Sequence, residues 1–492
     1  MSERAPLASI ALVACAALAN EILLTRFFAI VHWHHFAYMM ISLALLGFGA
    51  SGTFLFLARE RLLRHFAPAF SANLLLFGCF TILGPLLAQQ LPFRAEELLW
   101  NSRQPLWLIA TYLVLALSFF FAANAIGLAL IAYRERAGTL YAFDLAGAGA
   151  GSLLILAALE LLAPEQALKL LAAAGFAAAF LAAFELRWWR ARWIAAALVG
   201  LLTLAVMPAS WLRPEPGPYK SLSQALLVSG TRIVTETSSA LGRITVIESP
   251  LVPLRHAPGL SLVSASEPPV QLGLFTDGDQ MDAITAATAD PQRLAFLGET
   301  TSALAYHVSR PQAVLVLGAG GGLEILRARH LGATRIDAVE INSRVVRLLT
   351  EEFRDYTGAL AEQPDVSLQV DDARGFLTNS RERYDLIQMS LVPGAGGGLG
   401  GLNEDYLHTV EALELCYRRL APAGLLSITR PVQLPPRDGL KLVATAIAAL
   451  RASGVSEPGH RLLVIRSWQT MTLLAKQGEF RDEEIATMRA FT

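Results

Sequence analysis

The sequence predicts two architectures in one chain. An α-helical membrane bundle occupies residues 1–212 and an open, Rossmann-like α/β sheet residues 311–492, with a small β-rich lead-in over 213–310 between them. Three observations carry this. Long apolar runs crowd the first part, strands and helices alternate through the last, and a glycine-rich stretch, Val314-Leu-Val-Leu-Gly-Ala-Gly-Gly-Gly-Leu-Glu324, opens that alternation.

Composition separates the two halves. Of 492 residues, 54% are hydrophobic and 16% charged, against about 25% charged in soluble globular proteins, so lipid must solvate much of the surface. Residues 1–212 hold 13 Lys/Arg and 10 Asp/Glu, whereas residues 213–492 hold 27 and 31. The formal charge of −1 offers no basic surface, and nucleic acid is not an expected partner. Cys15, Cys79 and Cys416 form neither a disulfide framework nor a metal spacing.

Apolar runs of spanning length, about 20 residues each, fall at 7–30, 36–58, 72–92, 105–132, 139–162, 165–185 and 193–212. The first is no signal peptide, because it holds Glu21 and Arg26 and more spans follow. Arg59/Arg61/Arg64, Arg134/Arg136 and Arg187/Arg190/Arg192 mark alternate connections, which the positive-inside rule assigns to the cytoplasm. Seven spans then put the C-terminal half outside. Within the apolar half, Glu21, Arg26 and Asp144 are candidate functional charges. The competing reading is that Glu21 and Asp144 bond to neighbouring helices while Gly147, Gly149 and Gly151 allow close packing. His32, His34 and His35 around Trp33 read as an interfacial belt, not a metal site.

Pro214, Pro216 and Pro218 end the last span. Short strands are expected at 232–236, 243–248 and 270–276, followed by a turn at Asp277-Gly278-Asp279-Gln280. From 311 the expected order is strand 314–317, helix 322–331, strand 335–340, helix 343–354, strand 366–370, helix 373–380, strand 384–390, helix 405–420, strand 424–429 and helix 437–452. Strands 461–466 and 469–475 close it as an antiparallel hairpin. Alternation means a parallel doubly wound sheet, and a terminal hairpin after five βα units is the class I methyltransferase pattern.

Open α/β sheets bind ligands at the carboxyl ends of their strands. There the sequence places Gly318, Gly320, Gly321 and Gly322, which let a ligand approach bare backbone, and Glu340, which can hold the two hydroxyls of a ribose. Asp372 and Ala373 follow the third strand, where Asp372 can accept an adenine amino group. Turn glycines and helix-capping carboxylates are the alternative reading.

These residues resemble the spermidine synthase (polyamine aminopropyltransferase) family, including its bacterial members fused to multi-span membrane domains. The resemblance covers the soluble half and extends to Tyr141-Ala-Phe-Asp144-Leu-Ala-Gly-Ala-Gly-Ala-Gly151 in the membrane half. It implies S-adenosylmethionine or its decarboxylated form as co-substrate, and aminopropyl transfer to a polyamine or related amine. The sulfonium supplies the leaving group, so no metal is implied. It also implies a bacterial inner-membrane protein with a cytoplasmic soluble domain, in conflict with the span count. Expected partners are the lipid bilayer and a small amine or membrane-presented acceptor, with a homodimer left open. Family members run on beyond the position of Thr492, so the last domain reads as shortened.

Three departures stand out. Ser390, in Tyr384-Asp-Leu-Ile-Gln-Met-Ser390, occupies the family's Asp position, and serine is no base unaided. The family's Gly-Gly-Gly-Asp-Gly loop is here Gly318-Ala-Gly-Gly-Gly322, without its Asp. The Asp-Gly-x-x-Gln turn is one residue shorter. Pro393–Gly401 stands where a lid would, and the acids left for the amine are Asp277, Asp279, Glu404 and Asp405, with Asp277 the first choice. The alternatives are a methyltransferase acting on a membrane-presented acceptor, and a non-catalytic nucleoside sensor on a transporter-like membrane domain.

Overall fold

The computed structural model describes residues 5–32, 39–389 and 406–492. The chain divides into two compact units, Met1–Lys220 with Ser238–Arg243, and Ser221–Thr237 with Ile244–Thr492.

The first unit is helical. Among the described residues, six helices are long and apolar enough to cross a membrane: α1 (Leu7–Val31), α2 (Met39–Arg64), α3 (Phe66–Gln90), α4 (Gln104–Ala132), α5 (Ala137–Leu161) and α6 (Pro164–Glu185). The seventh expected span is shorter than its apolar run. Helix α7 (Ala191–Val206) has 16 residues, about 24 Å at 1.5 Å per residue, and stops because Met207 precedes Pro208 and takes an extended conformation.

Two of the three glycines read as packing residues do pack. A Cβ on Gly147 would stand 2.2 Å from the Ala11 carbonyl oxygen, and one on Gly151 2.2 Å from that of Cys15, so α5 lies with its backbone against α1. Gly149 faces open space. The side chains of Glu21 and Asp144 make no hydrogen bond or ion pair among the described residues, so neighbouring-helix bonding does not account for them. Buried polar pairs lie elsewhere. Ser51 donates to Asn124 at 2.7 Å, and Asn20 to Ser118 at 3.3 Å. His32 packs against Phe28 and Phe93; His34 and His35 lie outside the described residues.

The bundle has two distinguishable ends. At one, Leu62, Leu63, Phe66, Tyr133, Leu186 and Trp188 share a core beside the eight loop arginines, and the Glu185 carboxylate accepts from the N–H groups of Ala8 and Ser9. At the other, Lys169 near the start of α6 bonds the Met207 carbonyl beyond α7 at 2.7 Å. There Gly217 N–H reaches the Val31 carbonyl at the end of α1, and Lys220 Nζ reaches that of Ala29. Helix α7 thus carries the chain from the arginine end to the opposite one.

A four-stranded sheet, in the second unit apart from Ser238–Arg243, has the order β1 (Arg232–Ser239), β2 (Gly242–Glu248), β3 (Gln271–Thr276), β4 (Asp279–Thr285). The β3–β4 turn is tighter than expected. Only Asp277 (φ 52°) and Gly278 (φ 72°) are central, both left-handed as a two-residue hairpin requires, and Asp279 and Gln280 already belong to β4.

A seven-stranded sheet follows, in the order β10-β11-β9-β8-β5-β6-β7. Its strands are β5 (Ala313–Leu317), β6 (Arg335–Glu340), β7 (Val366–Val370), β8 (Tyr384–Met389), β9 (Leu420–Pro431), β10 (Leu462–Arg466) and β11 (Thr470–Lys476). Strands β5 to β9 pair in parallel, and β11 is antiparallel to both β9 and β10. This is the class I methyltransferase arrangement. Val314–Leu317 are almost fully buried, as a central parallel strand covered on both faces must be. The order reverses between β5 and β8, so the ligand crevice of an open sheet lies beyond their tips. The helix expected at 343–354 is regular only to Arg347 and continues as a wider π-type turn to Glu352.

Candidate functional site at the glycine loop

The loop after β5 folds as its glycines dictate. Gly318, Gly320 and Gly322 have φ of 81°, 50° and 88°, a region costly for any residue with a Cβ. The N–H groups of Gly318 and Ala319 bond the Val339 carbonyl at 2.9 and 3.1 Å, which ties the loop to the tip of β6. Gly322 caps the helix Leu323–His330. Gly321 is required by close approach: a Cβ there would stand 2.2 Å from the Ala283 carbonyl oxygen on β4.

Glu340, the last residue of β6, lies beside this loop. One carboxylate oxygen accepts from Gly320 N–H at 3.0 Å and the other from Asn342 N–H at 2.9 Å. Burial pushes its pKa upward, the two backbone bonds pull it back, and the nearby Asp282 carboxylate raises it further.

Asp372 takes the capping geometry. Its Oδ1 accepts from Gly375 N–H at 2.7 Å at the start of the helix Ala373–Asn379, and Asp371 Oδ1 accepts from Asp372 N–H. Ala373 is buried. Asp371 N–H bonds the Glu340 carbonyl at 3.2 Å, so the tips of β6 and β7 lie side by side. Glycine loop, Glu340 and the Asp-Ala pair are therefore gathered at three neighbouring strand tips.

The proposed amine-binding residues are placed differently. Asp277 is the first central residue of the β3–β4 turn, five residues from Asp282, up to about 17 Å of extended chain. Asp279 accepts from the Ser221 hydroxyl at 2.6 Å. Ser390, Glu404 and Asp405 lie outside the described residues. Strand β8 leads to Ser390, and its Met389 pairs with Leu317 immediately before the loop.

Sequence reasoning missed two features. One is Asp282 on β4, whose Oδ2 accepts from Gly321 N–H at 2.7 Å. It lies 36 residues before the loop in an unremarkable alternating strand, and only the tertiary fold brings it there. The other is a buried polar network beneath the loop. The Tyr306 hydroxyl donates to Gln388 Oε1 at 2.8 Å, Gln388 donates to Glu324, and Glu324 pairs with Arg327, which also bonds the Leu297 carbonyl. Tyr306, Gln388, Glu324 and Arg327 are all at least 93% buried. The network joins β8 to the helix that begins at Leu323, fixing the loop against the strand that leads to Ser390. Glu324, two residues after the loop, was its one visible signal.

Comparison with known proteins agrees with this geometry. Residues 300–428 match the spermine/spermidine synthase domain. A polyamine aminopropyltransferase of Clostridium botulinum is 34% identical over 114 residues, 23% of this chain and 38% of the relative. One from Hamiltonella defensa is 32% identical over 114 residues, 23% of this chain and 37% of the relative. The chain thus spans under two-fifths of the length of these two curated relatives. Among solved structures, spermidine synthase from Thermotoga maritima is 15% identical, with a TM-score of 0.34, over 51% of this chain and 75% of that one. The glycine loop, β6 and the Asp-Ala pair all fall inside residues 300–428, the part of the chain that is similar to a spermine/spermidine synthase domain.

Proposed function

We propose that this is a membrane-anchored transferase that binds an adenosyl sulfonium at the glycine loop and transfers its aminopropyl group to an amine. The observation that carries the reading is the convergence of bare loop backbone, Glu340 and the Asp-Ala pair at adjacent strand tips inside the 300–428 match. Decarboxylated S-adenosylmethionine is the assigned co-substrate, because the curated relatives are aminopropyltransferases. In the reaction, the acceptor nitrogen attacks the propyl carbon bonded to sulfur. The carbon–sulfur bond breaks with its electron pair going to sulfur, leaving methylthioadenosine, and the acceptor loses one proton. Glu340 holds the ribose, Asp372 and Ala373 frame the adenine, and the loop positions the tail for in-line attack. Asp277, Ser390 and Glu404 remain the assigned amine-side residues.

The purified full chain, incubated with decarboxylated S-adenosylmethionine and a panel of di- and triamines, should release methylthioadenosine and a lengthened amine, detected by mass spectrometry. S-adenosylhomocysteine formed from intact S-adenosylmethionine would instead support methyl transfer.

We further propose that the six long helices and α7 lie in a bacterial inner membrane with the arginine end in the cytoplasm. Eight loop arginines lie at that end, against Arg94 and Arg103 in the loop between α3 and α4 and Lys169, Arg213 and Lys220 close to the ends of α6 and α7. Because α7 returns the chain to the other end, the catalytic unit would emerge on the outer face and its sulfonium would have to be supplied there. Reporter fusions after Thr492 test this: alkaline phosphatase activity supports it, and a fluorescent cytoplasmic fusion overturns it.

A further inference from the structure

We propose that Asp282 selects the charge of the sulfonium's tail, admitting one that ends in an ammonium and rejecting one that carries a carboxylate. The inference rests on the nucleoside reading above and adds a specificity-determining residue to it. Asp282 comes from the lead-in sheet and lies directly on the glycine loop. Its Oδ2 accepts from Gly321 N–H at 2.7 Å, while Oδ1 accepts from Ala283 N–H at 2.7 Å. A Cβ on Gly320 would stand 2.1 Å from Oδ2, so the carboxylate rests against bare backbone. Glu340 takes the Gly320 N–H at 3.0 Å.

A glycine loop with two adjacent free N–H groups is an anion receptor. Here both are engaged by the protein's own carboxylates. An incoming carboxylate would meet no donor at positions 320 and 321 and two like charges beside them, whereas an ammonium would meet acceptors. The local field is already negative, since Asp282 helps raise the pKa of Glu340. His256 lies near the same carboxylate; burial lowers its pKa below the ordinary histidine value, against the pull of Asp282.

The experiment measures Kd for S-adenosylmethionine and its decarboxylated form on the full-length detergent-solubilised protein, wild type, Asp282→Asn and Asp282→Glu, with thermal midpoints as a folding control. The asparagine keeps an oxygen for Gly321 N–H and removes the charge. Wild type should prefer the decarboxylated form by at least about tenfold, because like-charge contact costs several kcal/mol. Asp282→Asn should shrink that ratio by about tenfold, and Asp282→Glu should retain the preference. An Asp282→Asn ratio within about twofold of wild type would overturn the proposal. So would equal affinity for the two nucleosides in wild type, whatever becomes of the variants. If wild type bound neither nucleoside, the nucleoside reading itself would fall, an outcome distinct from binding both alike.

Discussion

Replacing Gly321 with alanine tests whether the loop and β4 are in true backbone contact. Its φ is not left-handed, so the effect is steric. The new Cβ would stand 2.2 Å from the Ala283 carbonyl oxygen, 2.6 Å from its carbon and 3.2 Å from the Ile284 nitrogen. All three are backbone atoms, so no rotamer change relieves the clash and the strand must move off the loop. Overpacking costs about 1–3 kcal/mol, and separation also loses the Gly321 N–H bond to Asp282, whose charged acceptor makes it worth about 1.5–3 kcal/mol. Together they cost about 2.5–6 kcal/mol. At roughly 2–4 °C per kcal/mol for a unit of this size, the midpoint of the second unit should fall by about 5–24 °C in a scan that resolves it, and nucleoside affinity should drop with it. Gly459→Ala is the control, since nothing lies within 4 Å of its added Cβ, and should stay within about 0.5 kcal/mol of wild type. If Gly321→Ala melts and binds like the control, the loop–β4 contact is wrong and the placement of Asp282 falls with it.

Other perturbations probe independent parts. Glu324→Gln leaves Arg327, 1% exposed, as an uncompensated buried charge, at a cost of about 3–5 kcal/mol; chemical denaturation should show a destabilised second unit, and a neutral result would mean the network does not support the loop. Gly151→Val should separate α5 from α1 and lower the yield and thermal midpoint of the detergent-solubilised protein, while Gly149→Val should not. Equal behaviour of the two would refute the α1–α5 packing. Burial raises the Glu340 pKa above the ordinary carboxylate value, so the folded state binds its proton more tightly than the unfolded state does. Its contribution to stability is therefore fully present below about pH 4.5 and lost as pH rises through the folded pKa. The stability difference between Glu340→Gln and wild type should shift in favour of Gln from about pH 4 to pH 7, read by denaturation at several pH values, and a shift of opposite sign would contradict the assigned burial.

The sheet was legible because its signals are local. Val314–Leu317 is an uninterrupted apolar strand, Gly318–Gly322 can only be a close-approach turn, and β6 and β7 coincide with the runs read from 335 and 366. The six long apolar helices were equally plain, because a continuous apolar run of spanning length needs no periodicity to be recognised. What the sequence hid depends on contacts between distant segments. Asp282 looks like a solvent-facing residue of an alternating strand until β4 is laid on the loop. Gln388, in Ile-Gln-Met, reads as an oddity in a buried strand until Tyr306 and Glu324 satisfy its amide. Gly149 resembled its neighbours because small-residue spacing does not reveal which face meets a partner, whereas Gly147 and Gly151 share a face four residues apart. The capping geometry of Asp372 was foreseeable from its place before the helix that starts at Ala373.

Calorimetric titration of decarboxylated S-adenosylmethionine into the full-length protein, wild type and Glu340→Ala, bears most directly on the claim that the β5 and β6 tips form a nucleoside site. A saturable one-site isotherm is expected for wild type and a loss of at least about tenfold in affinity for Glu340→Ala, since charge-assisted hydrogen bonds of the kind proposed between this carboxylate and a ribose are each worth about 1.5–3 kcal/mol. Absence of binding by the wild type, or equal binding by a folded Glu340→Ala, would contradict it.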